Sequence, residues 1–332
     1  MASLVGRIIN KLKLTLNSYL KDCKFSMKLA NYRCIDDISY RFQLSTVSKK
    51  YHKKKDDFIS MYLKEELHNV IQDYRNDSYV GEFIDNAPIW VCWWDGEENA
   101  PKLVQQCIKS IRKNAGNHPV YLITKDDYSK YLTIPNFILE KVESGSMCIA
   151  HFSDYLRISL IEKYGGLWLD STIYCSKLIP INCFDLPIYT CKSLPIDSRY
   201  ISKFRWTTFC LGGWKGNVFY RFLKAGLEEY WKNEENSIDY LFFDYLIEIA
   251  NQEITTVKDC FKKIPCNNPH RDDLQAAMNS AVSYTEFSNI IKDDTSLYKL
   301  SWRESYSTKS IDGKESIYGF FINQQIGERY DT

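Results

Sequence analysis

The chain has 332 residues, 45% hydrophobic and 15% aromatic, enough apolar matter to bury one large core or one core with additions. No run of about 18 or more apolar residues occurs, which excludes a membrane-crossing helix. Eleven cysteines stand singly with no CxxC pair, and no secretory h-region leads to a small-residue cleavage site, so the expected setting is a reducing, cytoplasmic one with free thiols.

The net charge of +1 is unevenly distributed. Residues 1–60 hold 13 Lys+Arg against 5 Asp+Glu, a net of +8, leaving 30 against 37, a net of −7, for the other 272. In "MASLVGRIINKLKLTLNSYL", Leu4, Ile8, Leu12 and Leu16 recur four apart with Val5 and Ile9 beside them, while Arg7, Lys11 and Lys13 turn elsewhere. This pattern predicts a basic amphipathic helix. Residues 1–24 then suit an anionic membrane surface, each basic residue contributing on the order of 1 kcal/mol, or form an ordinary helix packed on the rest of the chain. The run "KKYHKKKDDF" at 49–58 is not read as a nucleic-acid patch, because Asp56 and Asp57 close it and no nucleic-acid motif follows.

Residues 57–76 alternate apolar and charged side chains at helical spacing, and "VGEFIDNAP" then interrupts. The expected organisation is a basic, largely helical extension over 1–86 and a main domain over 87–332. From Ala87 the order reads strand (89–94), helix (101–114, with Leu103, Val104, Cys107, Ile108 and Ile111 on one face), strand (119–124) and a short helix after Asp126. A longer helix in "SMCIAHFSDYLRISLIEKYGG" follows, stopped at Gly165. Beyond "LWLDSTIY" come strands at 187–191 and 207–211, and helices near 217–232, 238–250 and 270–282. Strands alternating with helices predict a parallel sheet in an α/β fold.

Asp154 and Arg157 lie three apart, hence on one helix face, and the Gly165-Gly166 turn brings Asp170 out at the carboxyl end of the next strand. Ligands of open α/β sheets bind at those ends. Spacing alone favours a plainer reading, a helix-surface ion pair worth about 0.3–0.5 kcal/mol beside a turn.

The longer stretch "HFSDYLRISLIEKYGGLWLDSTIY" resembles the sugar-nucleotide-binding segment of DXD-type glycosyltransferases, specifically capsular polysaccharide synthesis proteins related to glycosyltransferase family 32. The S-D-x-L-R, helix, G-G, apolar, D-x-D order is similar to that of the glucosylating domains of large clostridial cytotoxins. "PIWVCWWDG", "IDYLFFDYLIEIA" and "SLYKLSWRES" resemble further segments, over roughly residues 87–305. The resemblance implies a GT-A fold, a Rossmann-like sheet binding a nucleotide-sugar, with UDP favoured. It implies that Asp154, with Ser153 beside it, holds sugar or ribose hydroxyls. It further implies that Arg157 contacts the sugar and the leaving oxygen, and that Asp170, following Trp168, touches ribose, sugar and a metal.

A divalent Mn²⁺ or Mg²⁺ bridging the two phosphates would neutralise the leaving group as a Lewis acid, and it needs few protein carboxylates. Thr172 stands where the pattern usually has a second acid. It binds a metal-held water while another acid supplies charge, or metal is used more loosely, or activity has been lost. Candidate compensating groups are Asp244 and, in "NNPHRDD", His270, Asp272 or Asp273. Trp93 and Trp94 must point to opposite faces of a strand, so one alone can stack on a base, and the resemblance favours Trp93. Gly212 and Gly213 would let backbone approach a sugar. Trp302 is expected to close over the diphosphate.

The resemblance implies transfer with retention of configuration. No enzyme nucleophile is evident, so a front-face route is expected. The implied acceptor is a lipid-diphosphate-linked oligosaccharide at the inner face of a bacterial membrane. Rival readings are a toxin-like enzyme acting on a protein and a non-catalytic sugar-nucleotide-binding subunit. A homo-oligomer is compatible with the chain.

Overall fold

The computed structural model describes residues 16–283, 287 and 289–323. Most of the predicted amphipathic helix lies outside the described residues; what is described of it, residues 16–23, is helical, with Leu16 and Leu20 exposed. Three helices follow, α1 (Met27–Arg41), α2 (Ser45–Glu66) and α3 (His68–Tyr74). Ser26 caps α1 by accepting from the Lys28 N–H. Leu29, Ile59, Leu63, Leu67 and Ile71 of this region are buried in the same core as Phe219, Leu223 and Leu246. The boundary near Ala87 thus marks the start of the sheet and not an edge of the core.

The main run continues as β1 (Ile89–Cys92), α4 (Lys102–Lys113), β2 (Val120–Ile123), α5 (Asn136–Glu143), α6 (Ile149–Tyr164), β3 (Gly166–Leu169) and β4 (Ile173–Cys175). After it come α7 (Asn182–Asp185), β5 (Ile188–Thr190), β6 (Cys210–Gly213), α8 (Val218–Asn233), α9 (Phe242–Glu253) and α10 (Thr255–Lys263). The last elements are α11 (Asp273–Ala277), β7 (Leu297–Lys299) and α12 (Ile317–Ile322). The strand expected at 207–211 is displaced to Cys210–Gly213, and the helix expected over 270–282 shrinks to α11. β7 was not foreseen, since three residues are too few for an alternation to show.

Five strands form one sheet in the order β2-β1-β3-β6-β5. β1 runs parallel to β2 and β3, while β6 runs antiparallel to both β3 and β5. The fold is therefore mixed α/β, agreeing with the GT-A-like class expected, with one reversed strand that element order did not reveal. Alternation along β1 divides the two cores. Trp90 faces the layer of α6, α8 and α9, whereas Ile89 and Val91 face α4, where Leu103, Val104, Cys107, Ile108 and Ile111 are buried. A second, two-stranded sheet pairs β4 with β7 antiparallel, setting Ile173 opposite Lys299.

The α6–β3 turn requires its two glycines. Gly165 and Gly166 have φ of +71° and +100°, and a Cβ on Gly166 would lie 2.0 Å from the Pro88 carbonyl oxygen. That oxygen accepts from the Leu167 N–H at 2.9 Å, locking β3 against the entry to β1.

Candidate active site

Asp154 and Arg157 emerge one turn apart on α6, and β3 delivers Asp170 to the same place. Arg157 Nη1 donates to Asp154 Oδ1 at 2.5 Å and Nη2 to Asp170 Oδ1 at 3.1 Å. The guanidinium is buried, with its carbon 5.0 Å from the centre of the Trp168 ring and 5.7 Å from that of Phe243. The acid–guanidinium–acid set that spacing left open as a surface ion pair is an inward-facing cluster.

This cluster forms the floor of a cleft of about 580 Å³ at the carboxyl ends of β1 and β3, within the range of roughly 300–1,000 Å³ usual for small-molecule sites. Trp93, Ser153, Thr172, Asp244 and Trp302, all singled out from sequence, also line it. β1 ends at Cys92, short of the expected 94, and the two tryptophans that follow it diverge, Trp93 packing on the α4-side core and Trp94 on the other. The Trp93 ring meets the Trp302 ring edge-on at 5.7 Å, and the Trp302 side chain is half-exposed at the rim. Among the described residues, Trp93 Nε1 and Arg157 Nε are buried with no hydrogen-bond partner, which leaves two donors for a ligand.

Trp168 has a different part from the one expected. It lines the cleft but is 1% exposed, and its Nε1–H donates to Asp170 Oδ1 at 3.0 Å, so it orients the carboxylate. Gly212, Gly213, His270, Asp272 and Asp273 are not among the residues that line the cleft. Gly213 pairs with Gly166 at the beginning of β3, because β6 runs backwards, and a Cβ there would strike Tyr220 at 2.3 Å. His270 is partly exposed, bonded through Nδ1 to Asp273 Oδ2 at 2.8 Å, and takes no place among the cleft residues.

Lys299 is the residue that sequence reading missed. Its Nζ donates to Asp170 Oδ2 at 3.0 Å and to Thr172 Oγ1 at 2.7 Å. Pairing of β4 with β7 creates this contact, reinforced by the Leu300 N–H donating to the Thr172 carbonyl at 2.9 Å. No local signal marks this lysine; only its place in a segment similar to those of the resembling family could have drawn attention to it. Thr208, Tyr240, Phe243 and Arg303 also line the cleft without having been singled out.

The charges are tuned differently at each acid. Burial works to raise the Asp170 carboxyl, but the Lys299 ammonium and the Arg157 guanidinium outweigh it and hold the group at about 2. Asp154 is pushed above the ordinary carboxylate value by burial, which Arg157 and His151 only partly counter. Asp244 accepts from Trp206 Nε1 at 2.8 Å, yet burial still raises it to about 6.

The residues present do not fit a divalent metal ion. Both Asp170 oxygens already accept from cationic groups, and the Thr172 hydroxyl accepts from Lys299 instead of turning to a metal-held water. Among the described residues no three His, Cys, Asp or Glu side chains come together to hold a metal; Asp244 lines the cleft but its Oδ1 accepts from Trp206, and His270 is turned to Asp273 outside it. An ion within about 4 Å of the ammonium would meet repulsion on the order of 4 kcal/mol per unit charge at an effective dielectric constant of about 20.

Residues 40–321 match the model of a protein family described as capsular polysaccharide synthesis protein. The match begins inside α1, in keeping with the core that the first helices share with the sheet. Among solved structures the chain is similar to one titled PaToxG Glycosyltransferase, at 14% identity and a TM-score of 0.35, covering 72% of this chain and 94% of that one. No curated protein matches it.

Proposed function

The chain belongs to the capsular polysaccharide synthesis protein family, and on that premise we propose that it is a glycosyltransferase moving a hexose from a nucleotide-sugar, a UDP-sugar in first place, to a lipid-diphosphate-linked oligosaccharide. The observation that carries this reading is the convergence of Asp154, Arg157 and Asp170 on the floor of one cleft whose rim holds Trp93 and Trp302. Trp93 offers a ring for the base, and Trp302 closes from the carboxyl-terminal side. Asp154 and Arg157 orient the sugar, and Arg157 Nε is a spare donor for its leaving oxygen.

In the front-face route the bond from the anomeric carbon to the diphosphate oxygen breaks, and its electron pair stays with the diphosphate. The acceptor oxygen bonds to the same carbon from the same side, so configuration is retained. Its proton passes to the departing diphosphate or to Asp244, whose raised carboxyl is ionised at neutral pH and able to receive it. Purified protein screened for UDP and GDP release from nucleotide-sugars tests this. An inverted product by NMR would remove the front-face route, and binding without release even with acceptor would favour a non-catalytic subunit.

A membrane-surface site for the reaction draws support from a second patch. Ile38, Phe42 and Leu44 on the α1–α2 hairpin and Leu194, Ile196 and Tyr200 on the facing loop are all exposed apolar side chains. The loop is tied to the hairpin by Arg199–Asp36 and Lys49–Asp197, and Lys50 and Lys53 lie exposed on α2 near that end. Apolar residues beside lysines suit the inner, anionic face of a bacterial membrane, and among the described residues no helix is long and apolar enough to cross one. Co-sedimentation with anionic vesicles should fall when Phe42 and Leu44 are both changed to Asp. Deleting residues 1–24 tests the amino-terminal helix separately, and donor hydrolysis should survive both changes.

A further inference from the structure

The departure at Thr172 and the position of Lys299 are two sides of one arrangement. An ammonium has three N–H donors, and those of Lys299 reach Asp170 Oδ2 and Thr172 Oγ1, leaving one toward the cleft that the side chain lines. With an aspartate at 172 the ammonium would face two carboxylates and be neutralised twice over. With a threonine there it faces one, so the Lys299–Asp170 pair keeps its capacity to receive an anion. Arg157 is likewise shared between Asp154 and Asp170, so the four charged groups balance before any ligand enters.

We propose that Lys299 is the built-in cation of this site: its ammonium binds the diphosphate of the donor and supplies the positive charge that a divalent ion would otherwise bring, making donor binding and departure of the leaving group independent of metal. This rests on the nucleotide-sugar reading above. As the anomeric carbon–oxygen bond breaks, negative charge grows on the diphosphate oxygen, and the third Lys299 N–H donates to it. The ammonium keeps its proton throughout, so no proton or electron balance changes at this residue. Asp170 and Thr172 fix the direction of that N–H by accepting the other two, and Asp170 is itself held by Trp168 and Arg157.

The arrangement also gives the β4–β7 sheet a purpose. Lys299 is the last residue of β7, three before Trp302, so the strand that supplies the cation also carries the ring at the cleft rim. Ordering of one on the diphosphate is mechanically tied to ordering of the other.

The test is calorimetry of the full chain with UDP, and separately with inorganic pyrophosphate, in metal-stripped buffer with EDTA and again with Mn²⁺. Wild type should bind UDP with affinities within about threefold in the two buffers. Lys299→Met should lose thirtyfold or more for both probes with EDTA, while Lys299→Arg recovers most of it. Thr172→Asp, which keeps the lysine and its packing, should weaken metal-free binding at least tenfold. The double variant with Thr172→Asp and Lys299→Ala should gain Mn²⁺ dependence, visible as a broadened Mn²⁺ resonance signal. Circular dichroism melts within a few degrees of wild type show that each variant is folded, and Thr172→Asp decides the matter should Lys299→Met not fold. A tenfold or greater gain in wild-type UDP affinity on adding Mn²⁺, with Mn²⁺ itself bound, would overturn the proposal while leaving the nucleotide-sugar reading intact. Failure of UDP, GDP and pyrophosphate to bind in either buffer would bring down both.

Discussion

Two carboxylates of this protein are each held by an arginine and two further donors, and have opposite uses. Asp36 on α1 accepts two hydrogen bonds from Arg199, at 3.0 and 2.6 Å, one from Ser48 at 2.7 Å and one from His52 at 2.8 Å. Asp170 after β3 accepts from Arg157, Trp168 and Lys299. Each carboxyl lies below the ordinary value because neighbouring donors and cations outweigh the effect of burial. At Asp36 the partners come from α2 and from the loop around Arg199, and the cluster pins that loop onto the first two helices, away from the cleft. At Asp170 the acid and both cations, Arg157 and Lys299, line the cleft. An acid beside an arginine is therefore no sign of a site by itself; the decisive feature is whether the cluster lines a cleft.

The sharpest way to break this comparison is to remove each acid in turn. Asp170→Ala should cut nucleotide release by about a thousandfold, as loss of a positioned electrostatic group does, with donor release as the measurement. Turnover near wild type would sink the site assignment. Asp36→Ala should leave turnover per folded molecule unchanged but cost about 1–2 kcal/mol of stability, since it removes the acceptor of Ser48 and His52 while Arg199, more than a third exposed, stays solvated, and denaturant titration reads this. Because the folded value of Asp36 is depressed, its contribution is present above the ordinary carboxylate value near 3.8 and fades as pH falls below it. The variant's stability loss should thus shrink on acidification.

Asp244 sharpens the contrast with a third environment, where burial prevails over the one hydrogen bond from Trp206. If its ionised form receives the acceptor proton, transfer should fall toward tenfold per pH unit below about 6, and Asp244→Asn should flatten that limb while lowering the plateau about a hundredfold. The smallest effect is expected at Trp302, partly exposed and touching the rest of the cleft through Trp93. Trp302→Ala should raise KM about fivefold with a lesser change in kcat, consistent with a loss of about 1 kcal/mol of ring contact.

The legible part of the site was the part built from near neighbours in the chain. A three-residue spacing on a helix puts Asp154 and Arg157 on one face, and a glycine pair reverses the chain so that a four-residue strand carries Asp170 back to them. Both relations span few residues, and repeating dihedral angles dictate them. Gly213 was misjudged because the residues of a strand do not state its direction, and an antiparallel β6 carries its final glycine to the wrong end of the sheet. His270 was misjudged because a histidine followed by acids looks alike whether it meets a ligand or its own helix.

From the sequence by itself come the α/β class, the amphipathic face of α4, the divergence of the two tryptophans after β1 and the placing of Asp154 and Arg157 on one helix face. These follow from periodicities of two and of 3.6, which side chains obey wherever the element sits. That Asp154 and Arg157 are site residues came from the family resemblance. The tertiary structure alone decided that β6 runs backwards, that the first three helices share the main core, and that Lys299 meets Thr172 across 127 residues of chain. Strand pairing over such a distance is settled by the free energy of the whole core, to which the few residues of β4 and β7 contribute little that could be read locally. Where the D-x-D pattern has its second acid, Thr172 meets a cation, Lys299, that no spacing rule could have placed beside it.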